Sequence, residues 1–239
     1  MTQTINLVLE TSTLVRILLL GFTGFVLSMF ITPLYTSLAY RGEWWKRQRS
    51  DAWAGGKAEV YQKLHSEKHK RQIPTMAGLI FVISTLLVTV LFNLSRGQTW
   101  LPLAAMVGSG FIGLFDDWFN IRSSGKGVAG MRAKLKFTLH SMVALIGGWW
   151  FYSKLDVSSV QIPGFGQLQI GILVIVLFWL VVIATANAVN ITDGLDGLAG
   201  GLLASSFGAY CLIAAIEGKY ALAAFCLTVV GALLSYTWF

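Results

Sequence analysis

Residues 170–200 read IGILVIVLFWLVVIATANAVNITDGLDGLAG. Ile170–Ala186 carries no charged side chain, and Thr185 is its one polar side chain. A helix needs about 20 apolar residues to cross the hydrocarbon core of a bilayer. An apolar block this continuous, broken abruptly at Asn187, reads as a membrane span that delivers a polar cluster to one membrane face.

Six further segments have the same character: Leu14–Tyr40, Thr75–Leu94, Trp100–Phe115, Phe137–Phe151, Leu198–Ile216 and Ala221–Phe239. Phe137–Phe151 is short and can borrow a turn from Met131–Lys136. The 239 residues are 55% hydrophobic and only 12% charged, with a mean hydropathy of +0.67. A soluble domain of this length would need far more charge to cover its surface. The expected fold is therefore an all-α integral membrane protein, a single polytopic domain over residues 1–239 with about seven transmembrane helices. Met1–Thr13 has no cationic n-region, so the first span reads as a retained helix. Cys211 and Cys226 fall inside spans and read as small core hydrophobes.

Orientation follows from the cations, because Lys and Arg are retained on the cytoplasmic side. Arg41, Lys46, Arg47, Arg49, Lys57, Lys63, Lys68, Lys70 and Arg71 follow the first span, and Arg122, Lys126, Arg132, Lys134 and Lys136 follow the third. These make 14 of the 18 Lys and Arg. The expectation is an outside N-terminus, a cytoplasmic C-terminus, and cytoplasmic loops at about 41–74, 116–136 and 187–197. The net charge of +7 is thus a topological and lipid-facing excess. No nucleic-acid partner is implied.

The carboxylates are less ordinary. Asp116 and Asp117 are adjacent directly after the third span, where like charge and desolvation at the interface disfavour them. A divalent cation, a nearby lysine or a shared proton should compensate. In the opening stretch, Asn187, Asn190, Asp193 and Asp196 recur at every third position, with a glycine after each aspartate. On a helix or tight turn such residues share a face, so they can converge on one ligand. No Lys or Arg lies between Lys154 and Lys219 to neutralise them. Both clusters fall on the cytoplasmic side, together with Lys68-His-Lys70-Arg71 and Arg132-Ala-Lys134-Leu-Lys136. Carboxylates, amides and cations at one interface suit Mg²⁺ with a phosphate-bearing substrate. His140 reads as a hydrogen-bonded core residue, and His65 and His69 as solvated loop residues.

Asn187-Ala-Val-Asn-Ile-Thr-Asp-Gly-Leu-Asp-Gly-Leu-Ala199 closely resembles the signature of the phospho-N-acetylmuramoyl-pentapeptide transferases, a branch of the polyprenyl-phosphate N-acetylhexosamine-1-phosphate transferase family. Pro74-Thr-Met-Ala-Gly78 is similar to the family's Pro-Thr-Met-Gly-Gly, Asp116-Asp117 to its Asp-Asp pair, and Lys134 to its basic position before the fourth helix. The resemblance implies transfer of phospho-MurNAc-pentapeptide from UDP-MurNAc-pentapeptide to undecaprenyl phosphate, with Mg²⁺ and release of UMP. It would place the chain in the bacterial inner membrane, in peptidoglycan synthesis. By resemblance, Asp116 and Asp117 would be catalytic, as base or as electrostatic organisers, and Asp117 and Asn190 would help hold the metal. Asn190 and Asp193 would lie at the diphosphate, Asn187 and Asp196 towards the uridine, and Lys70 and Lys134 at phosphate or nucleotide charge.

The chain departs from the family pattern. Asn120 stands where the family has a lysine beside the carboxylates, with Arg122 or Lys126 as candidate substitutes. Ala77 replaces a glycine, Gln72-Ile73 a Gly-Thr, and Glu67 a histidine. The family also continues past the position of Phe239, with a third catalytic aspartate and a His-rich loop. The expectation is that this chain covers about two-thirds of the family fold and is inactive or nearly so alone, with a missing C-terminal segment or a homodimer as candidate partners. Other readings stay open: a UDP-GlcNAc-using relative, a non-catalytic prenyl-phosphate binder, or a transporter.

Overall fold

The computed structural model describes residues 10–45, 74–122, 131–162, 164–192 and 197–238. Among these are seven helices: α1 (Thr11–Arg41), α2 (Gly78–Phe92), α3 (Trp100–Arg122), α4 (Ala133–Lys154), α5 (Leu173–Thr192), α6 (Leu198–Ile216) and α7 (Tyr220–Trp238). Two short strands, β1 (Ser159–Ile162) and β2 (Gly166–Gln169), lie between α4 and α5. Each apolar segment of the sequence overlaps one helix. Four helices, α1, α5, α6 and α7, are long and apolar enough to cross a membrane, and α2 is a shorter apolar helix. The protein is a mainly helical, multi-pass membrane protein.

The helices overrun the apolar segments at their polar ends. α3 continues through Asp116 and Asp117 to Arg122, and α5 through Asn187 and Asn190 to Thr192. Hydropathy marks where a segment leaves the hydrocarbon, whereas the i→i−4 ladder continues until something stops it. α4 does take its first turn from Ala133–Lys136. In contrast, α2 begins only at Gly78, because Pro74–Ala77 is drawn into a non-helical segment. The expectation of an all-α fold needs one amendment, the β1–β2 hairpin. Val160 and Ile162 are β-branched, and Gly164 and Gly166 take positive φ of 84° and 89° at its tip, a region glycine enters without steric cost.

The chain gathers into two compact units. One comprises Met1–Thr32, Ile80–Ala104 and Ala188–Phe239. Its centre is α7, of whose spanning window 56% is buried. Phe225, Val229 and Leu233 are fully enclosed there, with Thr228 and Ser235 beside them. Glycines bring α1 and α7 into backbone contact: a Cβ on Gly231 would lie 2.1 Å from the Gly21 carbonyl oxygen, and one on Gly24 would lie 2.7 Å from that of Thr228. With no hydrophobic drive between helices in lipid, close backbone approach and polar links hold such pairs. Ser28 Oγ supplies one link, donating to the Ala232 carbonyl at 3.0 Å. The start of α7 is fixed by the segment before α3. Asn93 Nδ2 donates to the Ala221 carbonyl at 2.8 Å, and the Leu222 N–H, an unpaired donor of the first turn, finds Gln98 Oε1 at 3.1 Å. Cys211 and Cys226 are buried, as their reading as core hydrophobes expects.

The other unit comprises Pro33–Leu79 and Ala105–Asn187. Here α4 and α5 pack through Gly148, whose Cβ position is 3.2 Å from the Ile175 carbonyl oxygen. Ring contacts Phe137–Trp179 and Phe151–Phe178 lie at either side. His140 Nδ1 is 2.8 Å from the Lys136 carbonyl, so it is the hydrogen-bonded helix residue expected.

Candidate active site

Residues 74–78 are held on two sides within the second unit. The Thr75 N–H donates to the Trp44 carbonyl at 2.7 Å, and Trp45 and Pro74 form an antiparallel bridge. The Tyr35 hydroxyl, at the far end of α1, donates to the Thr75 carbonyl. The Tyr35 ring also lies 6.2 Å from that of Trp44. Held so, Met76 adopts a φ of 67°, a left-handed conformation that costs a non-glycine residue about 1–2 kcal/mol. Strain of this kind persists only where the surroundings impose it. Its consequence is direct: the Met76 N–H points at Asp117 and donates to Oδ2 at 3.2 Å.

Asp116, one residue earlier on α3, is held by a different element. Its Oδ1 accepts from the Met131 N–H at 2.9 Å, and its Oδ2 meets Lys136 Nζ at 2.8 Å. Asp116 is 18% exposed and Lys136 35% exposed, so the pair is shielded from water without being dry. A carboxylate near the C-terminal end of α3 faces the negative pole of its own helix. Its proximity to the start of α4 reverses that disadvantage, since anions are favoured at helix N-termini by about 0.3–1 kcal/mol. Arg132 at the N-cap of α4 makes no side-chain capping bond. Successive helical positions diverge by about 100°, so the adjacent aspartates face different partners and their repulsion is divided. Asp116 is offset by an ammonium, and a backbone amide donates to Asp117.

Among the described residues, the lysine beside the carboxylates is Lys136. Sequence reasoning counted it among the cytoplasmic cations that could hold phosphate charge, and did not pair it with Asp116. Arg122, a candidate for that place, instead stacks over the Trp118 ring at 4.3 Å. Lys126, the other candidate, lies outside the described residues. Asn120 is buried. Lys134, matched to the family's basic position, has an exposed side chain. Asn187 and Asn190 lie one turn apart on α5, both exposed, so their amides share a helix face. Lys70, Asp193 and Asp196 lie outside the described residues.

A cavity of about 310 Å³ in the first unit, lined by Pro102, Phe207, Tyr210, Glu217, Phe225 and Cys226 among others, shares no residue with these groups. Its lining is apolar apart from Glu217 and the Tyr210 hydroxyl, so hard-oxygen chemistry belongs with the aspartates.

The donor chemistry at Asp117 fits a hard cation. A carboxylate oxygen turned by a backbone amide, one residue from a carboxylate already paired with lysine, suits a Mg²⁺ that takes its other ligands from phosphate and water. Among the described residues no group of three His, Cys, Asp or Glu could hold a metal alone.

The chain is 36% identical over 232 residues to a protein of Chloroflexus aurantiacus named phospho-N-acetylmuramoyl-pentapeptide-transferase, covering 94% of this chain and 60% of that relative. Proteins of the same name from Chloroflexus aggregans and Dichelobacter nodosus are 34% and 35% identical, over 94% and 71% of this chain and 60% and 52% of their own lengths. The chain thus spans about 60% of the length of the first of these relatives. Residues 99–239, which include both aspartates, Lys136 and both asparagines, match glycosyl transferase family 4. With more than half of its length inside that match, the chain belongs to glycosyl transferase family 4.

Proposed function

We propose that this chain carries the catalytic face of a polyprenyl-phosphate sugar-phosphate transferase. Its reaction moves phospho-MurNAc-pentapeptide from UDP-MurNAc-pentapeptide to undecaprenyl phosphate and releases UMP. The observation that supports this most is the pair Asp116–Asp117, held by two backbone amides and Lys136 within the stretch that matches the family. The names of the relatives support the transferred group; the UDP donor, the undecaprenyl phosphate acceptor and UMP are what the resemblance implies.

An oxygen of the lipid phosphate attacks the sugar-linked phosphorus of the donor, and the bond to the departing UMP breaks. Both reactants are anionic, and two bare carboxylates would repel them. Lys136 lowers that penalty by pairing with Asp116, and the resemblance places Asp117 at the reacting phosphate. Mg²⁺, when bound, offsets the charge that gathers on the leaving UMP. Asp117 would be one of its protein ligands. The resemblance gives Asn190 to the metal as well, and its exposed amide oxygen is a donor of the right kind. Asn187, Lys134 and, outside the described residues, Lys70, Asp193 and Asp196 keep the substrate-binding roles that the resemblance implies.

The proposal includes seven membrane spans in the bacterial inner membrane, with the carboxylates facing the cytoplasm. The asymmetry of 14 cations among 18 supports that orientation.

Because the relatives are longer than the matched stretch, the assay uses the chain alone and joined to the unmatched remainder of the Chloroflexus aurantiacus protein. In membranes, the joined protein is expected to release UMP only when UDP-MurNAc-pentapeptide, undecaprenyl phosphate and Mg²⁺ are all present. UMP release from UDP-GlcNAc in its place would assign the sugar differently. Ion flux in proteoliposomes with no UMP release from either sugar would overturn the transferase reading.

A further inference from the structure

The β1–β2 hairpin takes no part in the chemistry above, and its pattern is one-sided. The register pairs Val160 with Leu168 and Ile162 with Gly166, which puts Val160, Ile162 and Leu168 on one face. Ser159, Gln161, Gln167 and Gln169 share the other. At the tip Phe165 is 91% exposed, between glycines with positive φ. Leu168 and the nearby Ile172 are exposed as well. Two strands alone are marginally stable in water, and an apolar tip aimed at water adds nothing to them.

Three observations say what covers this face. No charged residue occurs from Val157 through Thr192, so neither the hairpin nor the helix after it must keep a charge in water. The base of the hairpin is tied to the membrane-type helix α5. The Ser158 carbonyl accepts from the N–H groups of Ile170 and Gly171, at 3.0 and 2.9 Å, and α5 begins at Leu173. The last turns of α4, just before the hairpin, carry Trp149, Trp150 and Tyr152, the residues that gather at headgroup level in membrane proteins. Phe151 in the same run packs on Phe178 of α5, their centroids 5.5 Å apart. The hairpin therefore leaves the protein where α5 meets the interface.

We propose that the β1–β2 hairpin is an interfacial anchor, laying Phe165 and the Val160–Ile162–Leu168 face into the headgroup–acyl boundary of the bilayer that α5 enters. The polar face of serine and glutamines is turned to water. This is the strand counterpart of an amphipathic helix lying in the membrane surface.

The test places an NBD fluorophore on Phe165→Cys, and separately on Gln167→Cys of the polar face, in the whole chain reconstituted in nanodiscs. Labelling of the parent chain gives the background from Cys211 and Cys226, which are buried. Each labelled protein is first checked for monodisperse elution. Lipids with a doxyl group near the headgroup are expected to quench the label at 165 several-fold more than the label at 167, and aqueous iodide is expected to do the reverse. Equal iodide quenching at both positions would place the tip in water and overturn the proposal. A blue-shifted label at 165 that neither quencher reaches would place it against protein, a second copy or another partner, and would also overturn it.

Discussion

Lys136→Met in the joined protein is expected to lower the rate of UMP release by about 10²–10³-fold, the usual cost of removing one charge-stabilising group from a reaction centre. Lys136 is the ammonium on Asp116 Oδ2, at 2.8 Å. Without it the carboxylate keeps, among the described residues, the Met131 amide, and two neighbouring negative charges confront an anionic substrate. Losing one partner of a buried pair costs about 3–5 kcal/mol, and at 18% and 35% exposure this pair should fall well below that range. The variant is therefore expected to fold with a lower melting temperature. Lys136→Arg keeps a cation and should retain much of the rate. Asp116→Asn combined with Lys136→Met removes both charges, and should recover stability without recovering rate. Recovery of both together would show that Lys136 serves the fold alone.

Gly231→Ala is expected to be the most damaging small substitution in the first unit. Its Cβ would meet the Gly21 carbonyl oxygen at 2.1 Å, with the Phe25 nitrogen at 3.1 Å. These are backbone atoms of α1, so no side chain can swing aside and the two helices must separate. Overpacking costs about 1–3 kcal/mol where a core can adjust, and this contact lies at the upper end. Separation would also stretch the Ser28–Ala232 hydrogen bond. Gly208→Ala on α6 is the control, because a Cβ there meets nothing within 4 Å. It should be neutral or stabilise by about 0.5–1 kcal/mol. Thermal unfolding in detergent reads both, and equal melting temperatures would contradict the backbone contact.

The sequence marked the helices well because apolar length is a one-dimensional property. It marked Asp116 and Asp117 because two carboxylates at a membrane interface need a partner. It did not say which partner. Lys134 and Lys136 differ by two residues, about 200° around a helix, and only the approach of α4 to α3 selects Lys136 for Asp116. Arg122 looked equally available until its position over Trp118 was seen. Met76 was hidden for another reason: methionine gives no signal for a left-handed backbone, and its φ is imposed by Tyr35, Trp44 and Trp45 from elsewhere in the chain. The hairpin could have been found. Val160 and Ile162 alternate with Ser159 and Gln161, followed by Gly164-Phe-Gly166, but between two long apolar helices the stretch reads as a linker.

The most direct test of the central claim is UMP release by the joined protein and by its Asp117→Asn variant, with UDP-MurNAc-pentapeptide, undecaprenyl phosphate and Mg²⁺. Asparagine keeps the shape of the side chain and an oxygen for the Met76 amide, removes the charge and turns the other oxygen into an NH2 donor. The parent is expected to turn over and the variant to fall by about 10²-fold or more, with an unchanged melting temperature. A variant that releases UMP at the parental rate would contradict the assignment of this carboxylate to the reaction.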